Sequence, residues 1–408
     1  MYRSAKANFW HKNACFEKII LKLASLLLYI GHECDNDKQY YRIATMINYS
    51  SAMADSIIAK NIKLTDHWGY EYGLTLEGIY EVYKATGDRK YLDFIIKTMD
   101  TFINQDGTIN GYRLDEYNID HLNNGKMVLK LYDETHEERY KKAAELLYSQ
   151  TKTHPRTSEG VFWHKMIYPH QIWCDGLYMG AAFMASYVAH FGQESDFDDI
   201  VIQFTKSYPH LVDSTTGLLY HAYDESKSMF WADKETGLSE HFWGRAMGWY
   251  VMALADVLEY LPKTHQGYAE LSEILNKCLK ALLKVQDSKA HVWYQILNLA
   301  NEPQNYLEAS ASCMITASLF KAMRLGVLEN EFMEQAKNAY AGLITQFIAQ
   351  TKDGHYNLNK ICYVAGLGGA GGVARDGTFA YYVSEPIISN EPKGLGPFLF
   401  ASTEFERL

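Results

Sequence analysis

"YEYGLTLEGIYEVYKATGDRKYLDFIIKTMDTFI" (Tyr70–Ile103) joins an apolar helical run to a charged, amphipathic one through a short turn. The unit then returns. "YNIDHLNNGKMVLKLYDETHEERYKKAAELLYSQ" (Tyr117–Gln150) repeats it, with "DETHEERY" standing where "ATGDRKY" stood. Further copies span Trp173–Tyr208, Trp243–Gln286 and Tyr306–Phe347. Repeats of this size are supersecondary units that bury a face only by stacking on their neighbours. The first helix of each copy is apolar nearly all round and the second carries a charged stripe, the contrast expected of an inner and an outer ring. Five or six unequal copies do not form a tandem array. The expected fold is therefore all-α, an (α/α)6 barrel, with N-terminal helices and the C-terminal tail completing the ring. Residues 41–408 read as one catalytic domain, and residues 1–40 as a helical extension packed on it.

In such a ring the starts of the inner helices converge on one mouth. Those starts carry Trp68, Tyr70 and Tyr72, then Asp120, Asp175, Arg245 with Trp249, and Glu308. Asp175, in "QIWCDGLYMG", opens an otherwise apolar run, and a carboxylate is costly to bury without partners. It can serve as a helix cap, and so can Asp120. Separate caps explain poorly why polar exceptions recur at matching places in different copies. Apolar neighbours raise the pKa of such an acid while a helix N-terminus lowers it, a balance suited to proton transfer. Two long aromatic insertions, Gly160–Asp175 and Gly217–Trp249, hold His164, Lys165, Tyr168, His170, His221 and His241; loops of that length in a compact fold carry function. Arg245 opens an apolar helix and so calls for an anion: a ligand, or a structural partner such as Asp224 or Glu240.

Composition narrows the partners. The 408 residues carry a net charge of −10 with no basic stripe, which argues against nucleic acid. Aromatic residues reach 14%, and flat apolar rings with polar edges suit sugars as well as cores. Six scattered cysteines form no CxxC pair, so neither a metal site nor a disulfide framework is expected, and reduced thiols point to the cytoplasm. "IILKLASLLLYIG" (Ile19–Gly31) is too short to span a bilayer and reads as an amphipathic helix. "GLGGAGG" (Gly366–Gly372) contains GxGxxG without a strand–turn–helix context, so it reads as a flexible loop at the mouth and not as a nucleotide site. No cofactor is expected.

Taken in order, "WGYEYGL", "PRTSEGVFWHKMIYPHQIWCDGLYMGAAF", "GLLYHAYDESKSMFWADKETGLSEHFWGRAMGWYVMALADVLEYLP", "NYLEASASCM" and "RDGTFAYYVSEP" resemble glycoside hydrolase family 105. These are the unsaturated rhamnogalacturonyl hydrolases, related to unsaturated glucuronyl hydrolases and built as (α/α)6 barrels. The resemblance implies a general acid/base at Asp175 and a second mouth carboxylate at Asp120. It puts sugar contacts at His164, His221, Arg245, Trp249 and the Trp68–Tyr72 cluster, with Lys165 and Tyr168 alongside. The implied partner is a short oligosaccharide ending in a 4,5-unsaturated uronic acid, with rhamnose as the next residue. Such a substrate is opened by hydrating its double bond, which needs one proton donor. Three other readings stay open at this point: a conventional inverting glycosidase using Asp175 and Asp120, a sugar epimerase, and a non-catalytic carbohydrate-binding toroid.

Overall fold

The computed structural model describes residues 47–370 and 373–408. The expected N-terminal extension, the Ile19–Gly31 helix, Cys15 and Cys34 lie outside the described residues. Twelve helices among the described residues pair into six hairpins. The inner ring comprises α2 (Tyr70–Thr86), α4 (Gly125–Thr135), α6 (Ala182–Phe191), α8 (Gly244–Tyr260), α10 (Ala309–Leu325) and α13 (Pro392–Glu406). The outer ring comprises α1 (Tyr49–Ala59), α3 (Arg89–Met99), α5 (Glu138–Thr151), α7 (Phe197–Leu211), α9 (Tyr268–Lys284) and α11 (Met333–Phe347). Each inner helix packs on the next, and α13 closes the circle between α10 and α2. The fold is an (α/α)6 barrel.

Local chemistry explains the hairpins. α2 ends on Gly87 at φ 70°, and the Asp88 side chain then accepts from Lys90 N–H to start α3. In the next copy His136 takes the left-handed position at φ 56°, so a glycine is not required there. The two rings differ in burial as their sequences do. Fourteen of the 17 residues of α8 are buried, against eight of 17 in the outer helix α9. Closure between the chain's two ends depends on small residues. A Cβ on Gly396 of α13 would sit 2.5 Å from the Leu74 carbonyl of α2, so only glycine allows this approach.

The inner helices are not apolar throughout. Their C-terminal halves, with the start of the short α4, carry an unbroken chain of ten alternating charges: Glu77, Lys126, Asp256, Lys321, Glu259, Arg324, Glu404, Arg407, Glu81 and Lys130. Neighbours in this chain are 2.6–3.8 Å apart. They line a cavity of about 340 Å³ at the end of the barrel opposite the helix starts. Charges gathered at this density, several of them buried, persist because each one between the two ends has a partner of opposite sign on both sides.

Short strands decorate the other end. β1 (Gln171–Trp173) pairs antiparallel with β2 (Ala222–Asp224), tying the two insertions together. Beyond α11 come β3 (Ile348–Gln350), β4 (Tyr356–Leu358), β5 (Ile361–Cys362), β6 (Gly368–Ala370), β7 (Val373–Arg375), the short helix α12 (Phe379–Ser384) and β8 (Ile387–Ile388). The glycine-rich stretch is not wholly irregular. Its described part, residues 366–370, contains β6, which pairs antiparallel with β7, Gly368 opposite Arg375. No described helix is long and apolar enough to cross a membrane.

Candidate active site

β1 runs directly into a single helical turn, Cys174–Gly176, followed by a π-helical turn, Leu177–Ala181, and then α6. Asp175 is not the cap of this helix. Trp173 holds the cap position and no side chain bonds there. The Asp120 carboxylate is not a cap either, because Asn118 accepts from the Asp120 N–H. Both carboxylates are therefore free of the local task that competes with catalysis.

Asp175 is 14% exposed, and its Oδ2 lies 3.2 Å from Nε2 of the fully buried His221. The separation is that of a hydrogen bond, although neither atom is aligned for one. The register of β1 with β2 creates this meeting: Cys174 N–H bonds the His221 carbonyl, so the two residues sit on adjoining strand ends. On its other ring nitrogen, Nδ1, His221 lies 2.7 Å from the Tyr382 hydroxyl of α12. Gly176 leaves room beside the acid, since a Cβ there would stand 3.1 Å from His164 Nδ1.

Asp120 is differently placed. Its Oδ2 is 2.5 Å from Lys165 Nζ and its Oδ1 3.7 Å from His164 Nε2. Burial pushes this carboxyl up, but Lys165, helped by the neighbouring histidines, more than offsets it and holds it below the ordinary range. Lys165 is held above its ordinary value for the same reason, against the opposing effect of its own burial. Burial dominates His164 and pushes it down to about 4, so its ring is neutral in the physiological range. That ring stacks on Trp173 at 4.4 Å, and Trp173 stacks in turn on Tyr168 at 5.0 Å, making a wall of three parallel rings.

The other expected contacts divide. Tyr70 is partly exposed and stands edge-on to Trp249 at 6.1 Å. Tyr72 lies near the rim, with its hydroxyl 3.3 Å from His67 Nδ1. Trp249 does not face the opening: it is 0% exposed, wedged between Tyr70 and Tyr178, and forms the floor. Trp68 is 1% exposed, packs on Phe102 and donates its N–H to the His121 carbonyl, which makes it core. Arg245 is 1% exposed and pairs with neither Asp224 nor Glu240. Its Nη1 donates to the Cys362 carbonyl at 2.6 Å and to Ser310 Oγ at 3.2 Å, with Glu308 and Glu391 close enough to hold it charged despite burial. Glu308 caps α10 through the Ala311 N–H and also receives the Cys362 N–H. His170 sits outside the ring stack, against Trp163 at 4.6 Å and 3.6 Å from Glu225.

Two residues that the sequence did not single out belong to this region. Tyr382 is one of 31 tyrosines, and no spacing rule marks it. Arg375 in β7 places its guanidinium beside Gly366 and the outer edge of Trp173, near Tyr381. No acidic residue among the described residues pairs with it.

The loop that carries His164 gives a pH prediction. His154 accepts from Gln150 at Nδ1 and donates from Nε2 to the Trp163 carbonyl at 2.8 Å; burial lowers it to about 4. Its folded value lies below the unfolded 6.5, so its contribution is present above pH 6.5 and is lost as pH falls through 4. For this group alone the loss is roughly 3 kcal/mol. Denaturant midpoints measured from pH 7 to pH 4 should fall accordingly, and His154→Gln should flatten that slope.

The description Glycosyl Hydrolase Family 88 matches residues 43–408. A solved family 105 glycoside hydrolase from C. acetobutylicum is 66% identical, covering 89% of this chain and 100% of its own, with a TM-score of 0.87. The unsaturated rhamnogalacturonyl hydrolase YesR of Bacillus subtilis is 28% identical over 281 residues, 67% of this chain and 76% of YesR. An unsaturated glucuronyl hydrolase from Bacillus sp. GL1 shares the fold at 16% identity, covering 88% of this chain and 97% of its own, with a TM-score of 0.67.

Proposed function

Because this chain belongs to glycoside hydrolase family 105, we propose that it removes a 4,5-unsaturated uronic acid from the non-reducing end of lyase-generated oligosaccharides. Asp175 is the general acid and then the base. The observation that carries this is the inequality of the two carboxylates. Asp120 is neutralised by Lys165 at 2.5 Å, whereas among the described residues the ion-pair contact of Asp175 is with His221. A conventional inverting glycosidase needs a second, free carboxylate to activate water at C1. Hydration of the double bond needs one group.

The step begins with Asp175 delivering its proton to C4 of the C4=C5 bond, which places oxocarbenium character across C5 and the ring oxygen. Water adds at C5 and gives its proton to the Asp175 carboxylate. The resulting hemiketal opens to a ketone at C5, and the hemiacetal left at C1 expels the next sugar as its alcohol. The wall of His164, Trp173 and Tyr168 supports the flat unsaturated ring on its apolar face. With Lys165 engaged by Asp120 and Arg245 by Cys362 and Ser310, Arg375, beside Trp173, is among the described residues the cation proposed to receive the uronate carboxylate. Rhamnose is the proposed following residue, and residues 41–408 are the proposed catalytic unit. The four described cysteines are all unpaired, which supports a reducing compartment and hence the cytoplasm.

The test is a panel of lyase-generated disaccharides beside their saturated counterparts, followed by ultraviolet absorbance and product analysis. Loss of the enol absorbance together with release of the second sugar, on unsaturated substrates only, is the expected result. Release from saturated uronides without that loss would replace this reading with the two-carboxylate glycosidase.

A further inference from the structure

We propose that Tyr382 is a positioning residue: it fixes His221 as the Nε2–H tautomer, so that Asp175 accepts at Oδ2 and carries its transferable proton on Oδ1. The proposal rests on the reading of Asp175 as the acid, and it deepens that reading.

The argument is an account of protons in a closed space. His221 and Tyr382 are both fully buried. The Tyr382 ring is held by Trp243, stacked at 6.0 Å, and by Tyr381, which fixes the position of its hydroxyl oxygen. Its hydrogen-bond partner is His221 Nδ1 at 2.7 Å. Burial pushes the phenol well above its ordinary value, so a proton remains on that oxygen. Two arrangements of the pair are possible. If Nδ1–H donated to the phenol oxygen, the phenol proton would be buried without an acceptor. If the phenol donates to Nδ1, the phenol proton is used, and the imidazole proton must lie on Nε2, where the Asp175 carboxylate is 3.2 Å away. The penalty for a buried, unpaired donor favours the second arrangement by roughly ten- to a hundredfold.

Nε2–H then lies on the side of Asp175, whose Oδ2 is 3.2 Å away but off the N–H axis. The carboxyl torsion of aspartate is soft, so turning the pair into alignment costs little. With Oδ2 committed as an acceptor, a protonated Asp175 carries its hydrogen on Oδ1. The same N–H steadies the carboxylate after the proton has left for C4. The arrangement also explains why Tyr382 is delivered by α12, a short helix outside the ring: the inner helices offer no other hydroxyl within reach of His221 Nδ1 among the described hydrogen bonds.

The test reads the tautomer directly. Protein labelled with ¹⁵N in its histidine rings is examined by two-bond ¹H–¹⁵N correlation, with His221→Gln identifying the resonance. The wild-type chain should show Nδ1 as an acceptor nitrogen and Nε2 as the protonated one. Tyr382→Phe should convert this to a mixture and lower kcat roughly ten- to a hundredfold at unchanged KM. A proton on Nδ1 in the wild-type chain would overturn the proposal, whether or not the variant folds. So would a Tyr382→Phe variant that keeps kcat. The outcome is separable from the catalytic reading, because Asp175→Asn with full turnover would sink that reading and leave the tautomer as measured.

Discussion

Asp175→Asn should lose about three orders of magnitude in kcat on an unsaturated uronyl disaccharide while keeping its fold. The size follows from what a positioned proton donor contributes, typically 10²- to 10⁴-fold. The amide has nearly the shape of the acid but cannot deliver a proton to C4 or collect one from water. Its carbonyl oxygen can still accept from His221 Nε2, 3.2 Å from the native Oδ2, so no buried partner is abandoned. Denaturation midpoints should therefore stay close to wild type. Steady-state rates and midpoints on the same preparation make the test. Near-wild-type turnover would show that the proton comes from elsewhere, and Asp120 would then be the first group to examine, released from Lys165 by the substrate.

Much of this arrangement was open to reading because the repeat is physical before it is a pattern. "ATGDRKY" and "DETHEERY" differ in nearly every residue, yet Gly87 and His136 occupy the same left-handed turn between an inner and an outer helix. The mouth was legible for the same reason: polar residues recur at matching helix starts, and although Glu308 does cap its helix, neither Asp120 nor Asp175 is a cap. Depth was not legible. Trp68, Tyr70 and Trp249 open equivalent helices, but only Tyr70 has an exposed face, because facing depends on helix rotation and on what packs beneath. Contacts made by the last fifty residues were also hidden. Tyr382 reaches His221 across 161 positions, and a partner at that separation leaves no local trace. The charge chain at the far end escaped for a related reason: Glu77, Lys126 and Asp256 look like ordinary surface charges until the helices that bear them are placed in a ring.

Arg245 is where sequence and structure part most sharply, and the second large effect follows from it. An arginine opening an apolar helix needs compensation, and the sequence suggested a substrate anion. The guanidinium instead ties three elements together. It donates to the Cys362 carbonyl at the end of β5 and to Ser310 on α10, and lies 4.8 Å over the Trp243 ring at the start of α8. Glu308 completes the knot by capping α10 and taking the Cys362 N–H. Arg245→Met would leave a carbonyl, a hydroxyl and buried acidic charge without their cation, and breaking a buried pair in this way costs about 3–5 kcal/mol. The expected result is a large fall in the denaturation midpoint, with KM on the residual folded fraction changed little. Arg245→Lys should recover only part of it, since the shorter side chain ends in a point charge and loses the planar group that lies over the Trp243 ring. The opposite pattern, an unchanged midpoint with KM raised tenfold or more, would return Arg245 to the substrate and take from Arg375 its claim on the carboxylate.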